Sequence, residues 1–400
     1  MLGKLNSAAL CVLAGVVASA ASLPPCPAKA SVFKVIHAFR GGGDGAYPGA
    51  GVTFDQAGAM YGTTEGGGPQ NAGTVFTIAP NGEESVVYAF KGGRDGSDPT
   101  APLLMTGSGT VYGVTSEGGG TGCGGNGCGT VFKLSPDGRE TVLYLFQGGS
   151  SDGAFPLGGL IADQQGNLFG TTANGGIDGC SDYNGCGTIF KLAPDGTETV
   201  IYRFTGGDDG GLPLSGLVAD RNFNLFGTTG MGGAHTLGVV YKLVGGRQQK
   251  VLHAFDGQDG AFPSSSLILD TSGDLYGTTS AGGNQGVVFK LAPDGTETLL
   301  HSFTGVDGAS PSAGLVVEGK LNLYGTTSGG GADRKACGGT CGVVFRLAPD
   351  GDETLLHRFK GGRDGFNPRD GLSAAPSGNL VGTAEAGGRY GYGAVFIIGK

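Results

Sequence analysis

The chain has 400 residues, a formal net charge of −9 and only 15% charged residues. The negative charge disfavours a nucleic-acid partner, because an acidic surface repels the phosphate backbone. The 86 glycines recur at a regular period, which argues against a low-complexity disordered chain. We expect an all-β protein whose strands are joined by glycine-containing turns.

Residues 1–20 have the pattern of a secretory signal peptide. Lys4 supplies the positive charge, residues 8–17 form a short apolar segment, and Ala18-Ser19-Ala20 resembles a cleavage site. The apolar segment is shorter than the roughly 20 residues that a membrane-spanning helix needs. We therefore predict a cleaved signal, a flexible segment at residues 21–31, no transmembrane segment, and a secreted or periplasmic protein.

Seven copies of one unit of roughly fifty residues follow. Each copy contains an Asp-Gly-x-x-Pro signature, and the signatures begin at Asp44, Asp95, Asp152, Asp209, Asp259, Asp307 and Asp364. The third copy predicts four strands: strand a at residues 159–163, strand b at 167–172, strand c at 188–192 and strand d at 199–204. Four short antiparallel strands per repeat are typical of a β-propeller blade.

The two ends of the repeat array predict a closed ring. The first strand d, residues 32–39, precedes the first signature, whereas the seventh copy ends at strand c, residues 394–397. The N-terminal strand can therefore complete the last blade and remove an open sheet edge. We predict a seven-bladed β-propeller of four-stranded antiparallel blades over residues 32–400.

Residues 274–311, DLYGTTSAGGNQGVVFKLAPDGTETLLHSFTGVDGASP, resemble the GloVer tandem-repeat family of exported bacterial proteins. The resemblance covers residues 32–400 and implies export and a propeller-like repeat, but no known activity. Many family members carry a C-terminal sorting segment. This sequence ends at Ile398-Gly399-Lys400 without one, so the resemblance does not extend to surface attachment.

Three close cysteine pairs predict local disulfides in an oxidising compartment. The pairs are Cys123 with Cys128, Cys180 with Cys186, and Cys337 with Cys341, and Cys26 is left unpaired. Zinc is a weaker interpretation, because no pair has the Cys-x2-Cys spacing and each lies in a different repeat.

The strand directions assign the loops to two faces of the ring. The loops between strands d and a, which contain the signature, share one face with the variable loops between strands b and c; we name this face T. Variable loops on a rigid scaffold often bind ligands, so face T is the candidate functional face. The seven signature aspartates could be turn residues, the interpretation we favour, or an acidic collar at the channel mouth that attracts a cation or a basic ligand.

Most histidines share one position of strand d. His37, His253, His301 and His357 alternate there with Tyr88, Tyr144 and Tyr202, which indicates a packing position with a polar tip. His235 lies alone in a loop and is expected to be solvated. The Gly-Thr-Thr triplets suit strand ends, and the sequence predicts no cofactor and no metal.

Three classes of function remain open. The first is a non-enzymatic scaffold or binding module that uses face T to hold a protein or a polysaccharide. The second is an enzyme acting on a carbohydrate or lactone at the channel mouth, an analogy with other propellers. Its unrepeated polar candidates are His235, Asp178, Asp182, Tyr183, Asp333, Arg334 and Lys335. The third is a multivalent sugar binder, which the absence of tryptophan disfavours. We expect a monomer.

Overall fold

A computed structural model describes residues 31–177, 180, 185–319, 321–331, 337 and 341–399. The predicted signal peptide, the segment before residue 31 and Cys26 lie outside the described residues. The same is true of six candidate polar residues, namely Asp178, Asp182, Tyr183, Asp333, Arg334 and Lys335. In the part of the chain that the structure describes, no helix is long and apolar enough to cross a membrane.

The described chain forms seven four-stranded antiparallel sheets, the blades of a β-propeller. Blade 1 contains β2 (Thr53–Phe54), β3 (Met60–Thr64), β4 (Thr74–Ile78) and β5 (Glu84–Ala89). Blade 2 contains β6 (Leu104–Met105), β7 (Val111–Thr115), β8 (Thr130–Leu134) and β9 (Glu140–Leu145). Blade 3 contains β11 (Ile161–Ala162), β12 (Leu168–Thr172), β14 (Thr188–Leu192) and β15 (Glu198–Arg203). Blade 4 contains β16 (Val218–Ala219), β17 (Leu225–Thr229), β18 (Val239–Val244) and β19 (Gln248–Ala254).

The remaining blades repeat the pattern. Blade 5 contains β20 (Ile268–Leu269), β21 (Leu275–Thr279), β22 (Val287–Leu291) and β23 (Glu297–Ser302). Blade 6 contains β24 (Val316–Glu318), β25 (Asn322–Thr327), β26 (Val343–Leu347) and β27 (Glu353–Arg358). Blade 7 contains β28 (Ser373–Ala374), β29 (Leu380–Ala384), β30 (Ala394–Gly399) and β1 (Val32–Ala38). A two-stranded ribbon pairs β10 (Gly153–Ala154) with β13 (Asn174–Gly175), and single 3-10 turns lie at Gly93–Asp95, Cys123–Gly125 and Gly362–Asp364.

The N-terminal strand closes the ring, as the sequence predicts. β1 pairs antiparallel with β30, from Val32 opposite Gly399 to Ala38 opposite Ala394. The strand order of blade 7 is therefore β1-β30-β29-β28, with one strand from the start of the array and three from its end.

The core consists of seven apolar clusters, one between each pair of adjacent blades. A phenylalanine that follows strand d packs edge-on against an aromatic residue in strand c of the next blade. Phe39 and Phe76, for example, have ring centroids 5.1 Å apart. The six other pairs are Phe90–Phe132, Phe146–Phe190, Phe204–Tyr241, Phe255–Phe289, Phe303–Phe345 and Phe359–Phe396.

The Gly-Thr-Thr triplets of strand b make room for the aromatic ring of strand c and bond to neighbouring strands. A Cβ atom at Gly62 would lie 2.5 Å from the Phe76 ring, so glycine is needed for the ring to cover strand b. The last threonine, Thr64, contacts Thr74 of strand c through their Oγ1 atoms at 2.8 Å. The middle threonine can reach the next blade: the Thr171 hydroxyl donates to the Ser215 carbonyl at 2.8 Å. These threonines are structural.

The predicted strand bounds agree best with the structure in strands c and d, which lie away from the central axis of the ring. In the third copy, strand c is found at Thr188–Leu192 as predicted, and strand d runs Glu198–Arg203. Strand a is shorter than predicted, because only Ile161–Ala162 pairs with strand b. Residues 157–159 instead line the central channel.

A β-bulge in strand d directs its two faces to different neighbours. The register shifts between Val75 and Phe76 of β4, where Tyr88 and Val86 are the respective partners, so Val87 is the additional residue. The bulge turns Tyr88 to the opposite side of the strand from Glu84, which precedes it by four residues. The same shift occurs in all seven pairs of strands c and d.

Candidate functional site

The central channel is lined by small residues and does not contain the signature aspartates. Its cavity of about 320 Å³ is bordered by the segments that precede strand a in all seven blades, and glycine and serine dominate them. Asp370, between blades 7 and 1, accepts the Gly371 N–H at 2.7 Å and also the Gly51 N–H. Burial raises the pKa of Asp370, and these two N–H donors oppose the rise.

The signature aspartates lie beside strand d, at the outer side of each blade, so a collar around the channel mouth is wrong. Each carboxylate accepts the backbone N–H of the residue that follows the strand-d phenylalanine. Lys91 donates to Asp95 at 2.7 Å, for example, and Lys360 donates to Asp364 at 2.9 Å. The other donors are Arg40, Gln147, Thr205, Asp256 and Thr304, to Asp44, Asp152, Asp209, Asp259 and Asp307 respectively. This geometry supports the turn interpretation.

The tyrosine and histidine tips of strand d contact the same carboxylates. The Tyr88 hydroxyl donates to Asp95 at 2.6 Å, and His253 Nε2 lies 2.8 Å from Asp259. Tyr144, Tyr202, His301 and His357 make the equivalent contact at 2.8–3.2 Å. His37 differs, because its Nε2 stands 3.7 Å from Asp44, beyond hydrogen-bond distance. This strand-d position therefore packs its ring in the blade, and its polar tip contacts the aspartate of the following signature loop.

A residue of the following blade lies beside each pair of signature aspartate and strand-d tyrosine or histidine. Sequence reasoning missed this third residue. In five copies a glutamate at the start of the next strand d approaches the aspartate and has a buried Oε1 atom without a hydrogen-bond partner in the described chain. These are Glu84, Glu140, Glu198, Glu297 and Glu353. Burial, then the neighbouring aspartate, raises the pKa of each, to about 7 in all but Glu84. Gln249 and Phe33 occupy the remaining copies.

Face T has a repeated backbone frame. In each blade a residue of the signature loop accepts a hydrogen bond from the residue that follows strand b, as Tyr47 does from Glu65 at 3.0 Å. The signature-loop residue always has a positive φ, between 51° and 60°. The seven pairs are Tyr47/Glu65, Asp98/Ser116, Phe155/Ala173, Leu212/Gly230, Phe262/Ser280, Ser310/Ser328 and Asn367/Glu385. We call these the rim pairs.

The side chains of the rim pairs break the sevenfold symmetry. Blades 7, 1 and 2 carry the pairs with acidic residues, blade 6 carries two serines, and blades 3, 4 and 5 carry Phe155, Leu212 and Phe262. A positive φ strains residues other than glycine. A chain with 86 glycines nevertheless places a larger side chain at this position in every copy.

The acidic rim pairs border a cavity of about 470 Å³ between blades 1 and 2, whose lining includes Tyr47, Glu65, Asp98 and Glu117. Burial, Asp98 and Glu385 together raise the pKa of Glu65 to about 7, and Arg369 opposes this rise. At neutral pH the Glu65 carboxyl can therefore donate or accept a proton.

Three contacts with neighbouring residues hold Asp98 and Glu385 in place. Asp98 accepts a hydrogen bond from Ser116 at 2.7 Å. Glu385 accepts one from Asn367 at 2.6 Å and pairs with Arg369 at 3.1 Å. Asp98, which lines the cavity, and the nearby Glu385 are thus held by neighbours on the same face.

Exposed tyrosines adjoin this cavity. Tyr47 is 41% exposed and packs edge-on against Tyr392, with ring centroids 5.8 Å apart. Tyr390 is 44% exposed and lies beneath the guanidinium groups of Arg40 and Arg389. Strand periodicity gave no signal for these rings, because their loops are irregular in sequence.

The predicted disulfides are present. They join Cys123 to Cys128, Cys180 to Cys186 and Cys337 to Cys341, with Cα–Cα distances of 5.2–5.3 Å. Three disulfides are typical of an extracellular or periplasmic environment. His235, the lone loop histidine, is exposed and is not part of the cavity lining.

Comparison with known proteins identifies the family. The model of the Gloeobacter/Verrucomicrobia repeat matches residues 25–223 and 178–396, so the chain belongs to that repeat family. No curated protein matches the sequence.

Solved propeller structures share the fold at low sequence identity. The Niastella koreensis GH74 enzyme is 15% identical with a TM-score of 0.57, and the match covers 88% of this chain and 52% of that one. A candidate 6-phosphogluconolactonase from Bacteroides uniformis is 15% identical with a TM-score of 0.52, covering 82% and 88%. A gluconolactonase from Xanthomonas campestris is 15% identical with a TM-score of 0.43, covering 73% and 82%. These likenesses concern the fold alone.

Proposed function

We propose that this member of the Gloeobacter/Verrucomicrobia repeat family is an exported binding module whose face T holds a neutral carbohydrate chain across blades 7, 1 and 2. The asymmetry of the rim pairs carries the proposal. Among the described rim pairs, blades 3–5 present mainly apolar residues and blade 6 presents two serines, so the acidic rim residues and the exposed tyrosines lie together in blades 7, 1 and 2.

The chemistry of this sector suits a sugar. The Tyr47 ring offers an apolar platform for the C–H face of a pyranose, and its exposure leaves that platform accessible. The carboxyl groups of Glu65, Asp98 and Glu117 can accept hydrogen bonds from hydroxyl groups. The net charge of −9 disfavours an acidic polymer, because its carboxylates would be repelled.

The proposed sugar site differs from that of a multivalent sugar binder, the third class of function that the sequence leaves open. A multivalent binder would repeat one weak site in every blade, whereas among the described residues the exposed tyrosines and the acidic rim residues occur together in blades 7, 1 and 2. We therefore favour a single extended site.

Tyr47→Gly provides a clean test. Glycine adopts the φ of 59° found at Tyr47 at no steric cost, so the variant should remain folded while losing the ring. We expect the wild type to bind at least one of a set of neutral polysaccharides (β-glucan, α-glucan, xylan) by calorimetry, and Tyr47→Gly to bind about tenfold more weakly.

Ser310→Gly is the matched control, since Ser310 occupies the same rim position in blade 6 with a φ of 51°. It should bind like the wild type. A wild-type protein that binds none of these polymers, or a Tyr47→Gly variant with unchanged affinity, would contradict the proposal.

Hydrolysis of the bound carbohydrate is a second candidate, favoured by the pKa of Glu65. A carboxyl group that titrates near pH 7 beside a second carboxylate is suited to donate a proton to a leaving oxygen. New reducing ends should then appear on incubation with the bound polymer. Glu65→Gln should abolish their release while retaining binding, whereas a wild type that binds without releasing reducing ends supports the binding module alone.

A further inference from the structure

We propose a divalent transition-metal site formed by His37, Asp44 and Glu84, at the seam where the N-terminal strand of blade 7 meets blade 1. One atom from each side chain, the imidazole nitrogen and two carboxylate oxygens, lies within 4.8 Å of the others. The site lies beside the outer strands of the ring and is separate from the rim pairs of face T.

His37 does not hydrogen-bond its signature aspartate, whereas the three equivalent histidines do; we call the His37 copy open and the others closed. His253, His301 and His357 hydrogen-bond their aspartates at 2.8–3.2 Å, whereas His37 Nε2 stands 3.7 Å from Asp44 Oδ2. The buried His37 Nε2 and Glu84 Oε1 both lack a hydrogen-bond partner among the described residues. Two such buried polar atoms facing one space are costly unless a third species binds them.

The distances fit a bound cation. A zinc ion holds nitrogen and oxygen ligands at about 2.0–2.2 Å, which places two ligands of a tetrahedral site about 3.4 Å apart. The His37–Asp44 separation of 3.7 Å is close to this value. One imidazole and two carboxylates form a mixed donor set that suits Zn²⁺ or Mn²⁺ better than Ca²⁺, which prefers oxygen ligands alone.

The three ligands come from both sides of the ring closure. His37 lies on β1, Asp44 lies in the loop after it, and Glu84 begins β5 of blade 1. A metal ion bound there would cross-link the N-terminal strand to the neighbouring blade and stabilise the closed ring through preferential binding to the folded state.

His301, Asp307 and Glu353 form a second group of the same composition within 4.8 Å. There the imidazole already contacts Asp307 at 3.2 Å, so binding a metal would require this hydrogen bond to break. We therefore assign the tighter site to His37.

The test uses the full chain without a histidine tag, stripped with a chelator and titrated with ZnCl2 by calorimetry and thermal unfolding. We expect one equivalent of zinc to bind with a clear rise in Tm, and CaCl2 to produce no comparable rise. His37→Tyr should weaken zinc binding about tenfold or more, in line with losses seen when metal sites are altered. Tyrosine is native at this position in Tyr88, Tyr144 and Tyr202, so the variant should fold.

Two further variants make the assignment specific. Glu84→Gln should also weaken zinc binding, and His253→Tyr, at a closed copy, should bind zinc like the wild type. The absence of saturable binding by the wild type, or unchanged affinity in His37→Tyr, would overturn the proposal. Loss of binding in His301→Tyr but not in His37→Tyr would overturn the choice of site.

Discussion

The Tyr88 hydroxyl donates a 2.6 Å hydrogen bond to the Asp95 carboxylate, which also accepts the Lys91 backbone N–H at 2.7 Å. Tyr88 is the penultimate residue of strand d of blade 1, and Asp95 lies in the loop that leads into blade 2. The contact therefore fixes the connection between consecutive blades. Because every blade needs this connection, a structural requirement explains why the aspartate recurs in all seven copies.

Asp95→Ala should destabilise the protein more than Asp95→Asn. Alanine removes the acceptor of the Lys91 N–H and leaves the half-buried Tyr88 hydroxyl without this partner, at a cost of about 1–3 kcal/mol. The amide oxygen of asparagine can still accept the Lys91 N–H, so Asp95→Asn should cost less. Urea unfolding measures both, with the exposed Asp208→Ala as a control expected to change stability by no more than about 0.5 kcal/mol. Equal losses for alanine and asparagine would contradict this role.

Removal of the N-terminal strand should disrupt the ring. A protein that begins at Gly41 lacks β1 and Phe39, so it exposes the edge of β30 and loses the Phe39–Phe76 contact. We expect aggregation or a large fall in Tm, because an unpaired apolar edge invites association with other chains. A protein that begins at Ser31 is the control. Thermal unfolding that is the same for both proteins would show that closure contributes little.

Reduction of the disulfides should lower stability modestly and leave the blades folded. The bridges span sequence separations of only 5, 6 and 4 residues, and the chain-entropy contribution of such small loops is about 2 kcal/mol each. Far-ultraviolet circular dichroism should therefore stay near that of the oxidised protein, while Tm falls. Mass mapping of the oxidised protein should find the three local bridges. Bridges between blades, or unfolding on reduction, would be inconsistent with this structure.

The sequence predicted the architecture well because its information is repeated. Seven copies of one signature define the blade, and the strand left over at residues 32–39 predicts closure. The position of the aspartates was wrong because the length of strand a was overestimated. The segment between Asp152 and Ile161 crosses from the outer to the inner edge of the blade, and a periodic pattern carries no signal for that distance.

The candidate site was less accessible to sequence reasoning for a related reason. Tyr47, Glu65 and Asp98 are far apart in the sequence. The Ala46–Gly66 bridge joins the loops that carry Tyr47 and Glu65, and the Asp98 N–H donates to the Ala72 carbonyl at 3.1 Å, which joins the loops of blades 1 and 2. The glutamate at the start of strand d was missed because its partner, the aspartate of the previous loop, lies on a different blade. The bulge at Val87, which turns Tyr88 and Glu84 to opposite sides, cannot be read from a two-residue period.

The pairing of glutamate with aspartate between blades makes stability depend on pH. Burial and Asp95 raise the pKa of Glu140 from 4.5 to about 7 in the folded protein, against an opposing effect of Lys91, and burial and Asp152 similarly raise that of Glu198 to about 7. The folded state therefore binds protons more tightly than the unfolded state. The stabilisation that comes from this tighter proton binding is complete below about pH 4.5 and is lost as the pH rises through 7.

Glutamine in place of these glutamates should remove that dependence. Gln249 occupies the same position in blade 4, where its side chain donates to the Asp209 carbonyl at 3.1 Å, so the fold accommodates glutamine there. We expect the Glu140→Gln, Glu198→Gln double variant to be more stable than the wild type at pH 8, by about 1 kcal/mol per site after allowing for solvent screening. At pH 4.5 the two proteins should unfold at nearly the same temperature, because the glutamates are then protonated. The exposed Glu83→Gln is the control and should show no such difference between the two pH values. A double variant whose Tm differs from that of the wild type by the same amount at pH 4.5 and pH 8 would show that the inter-blade carboxylates do not titrate in this range.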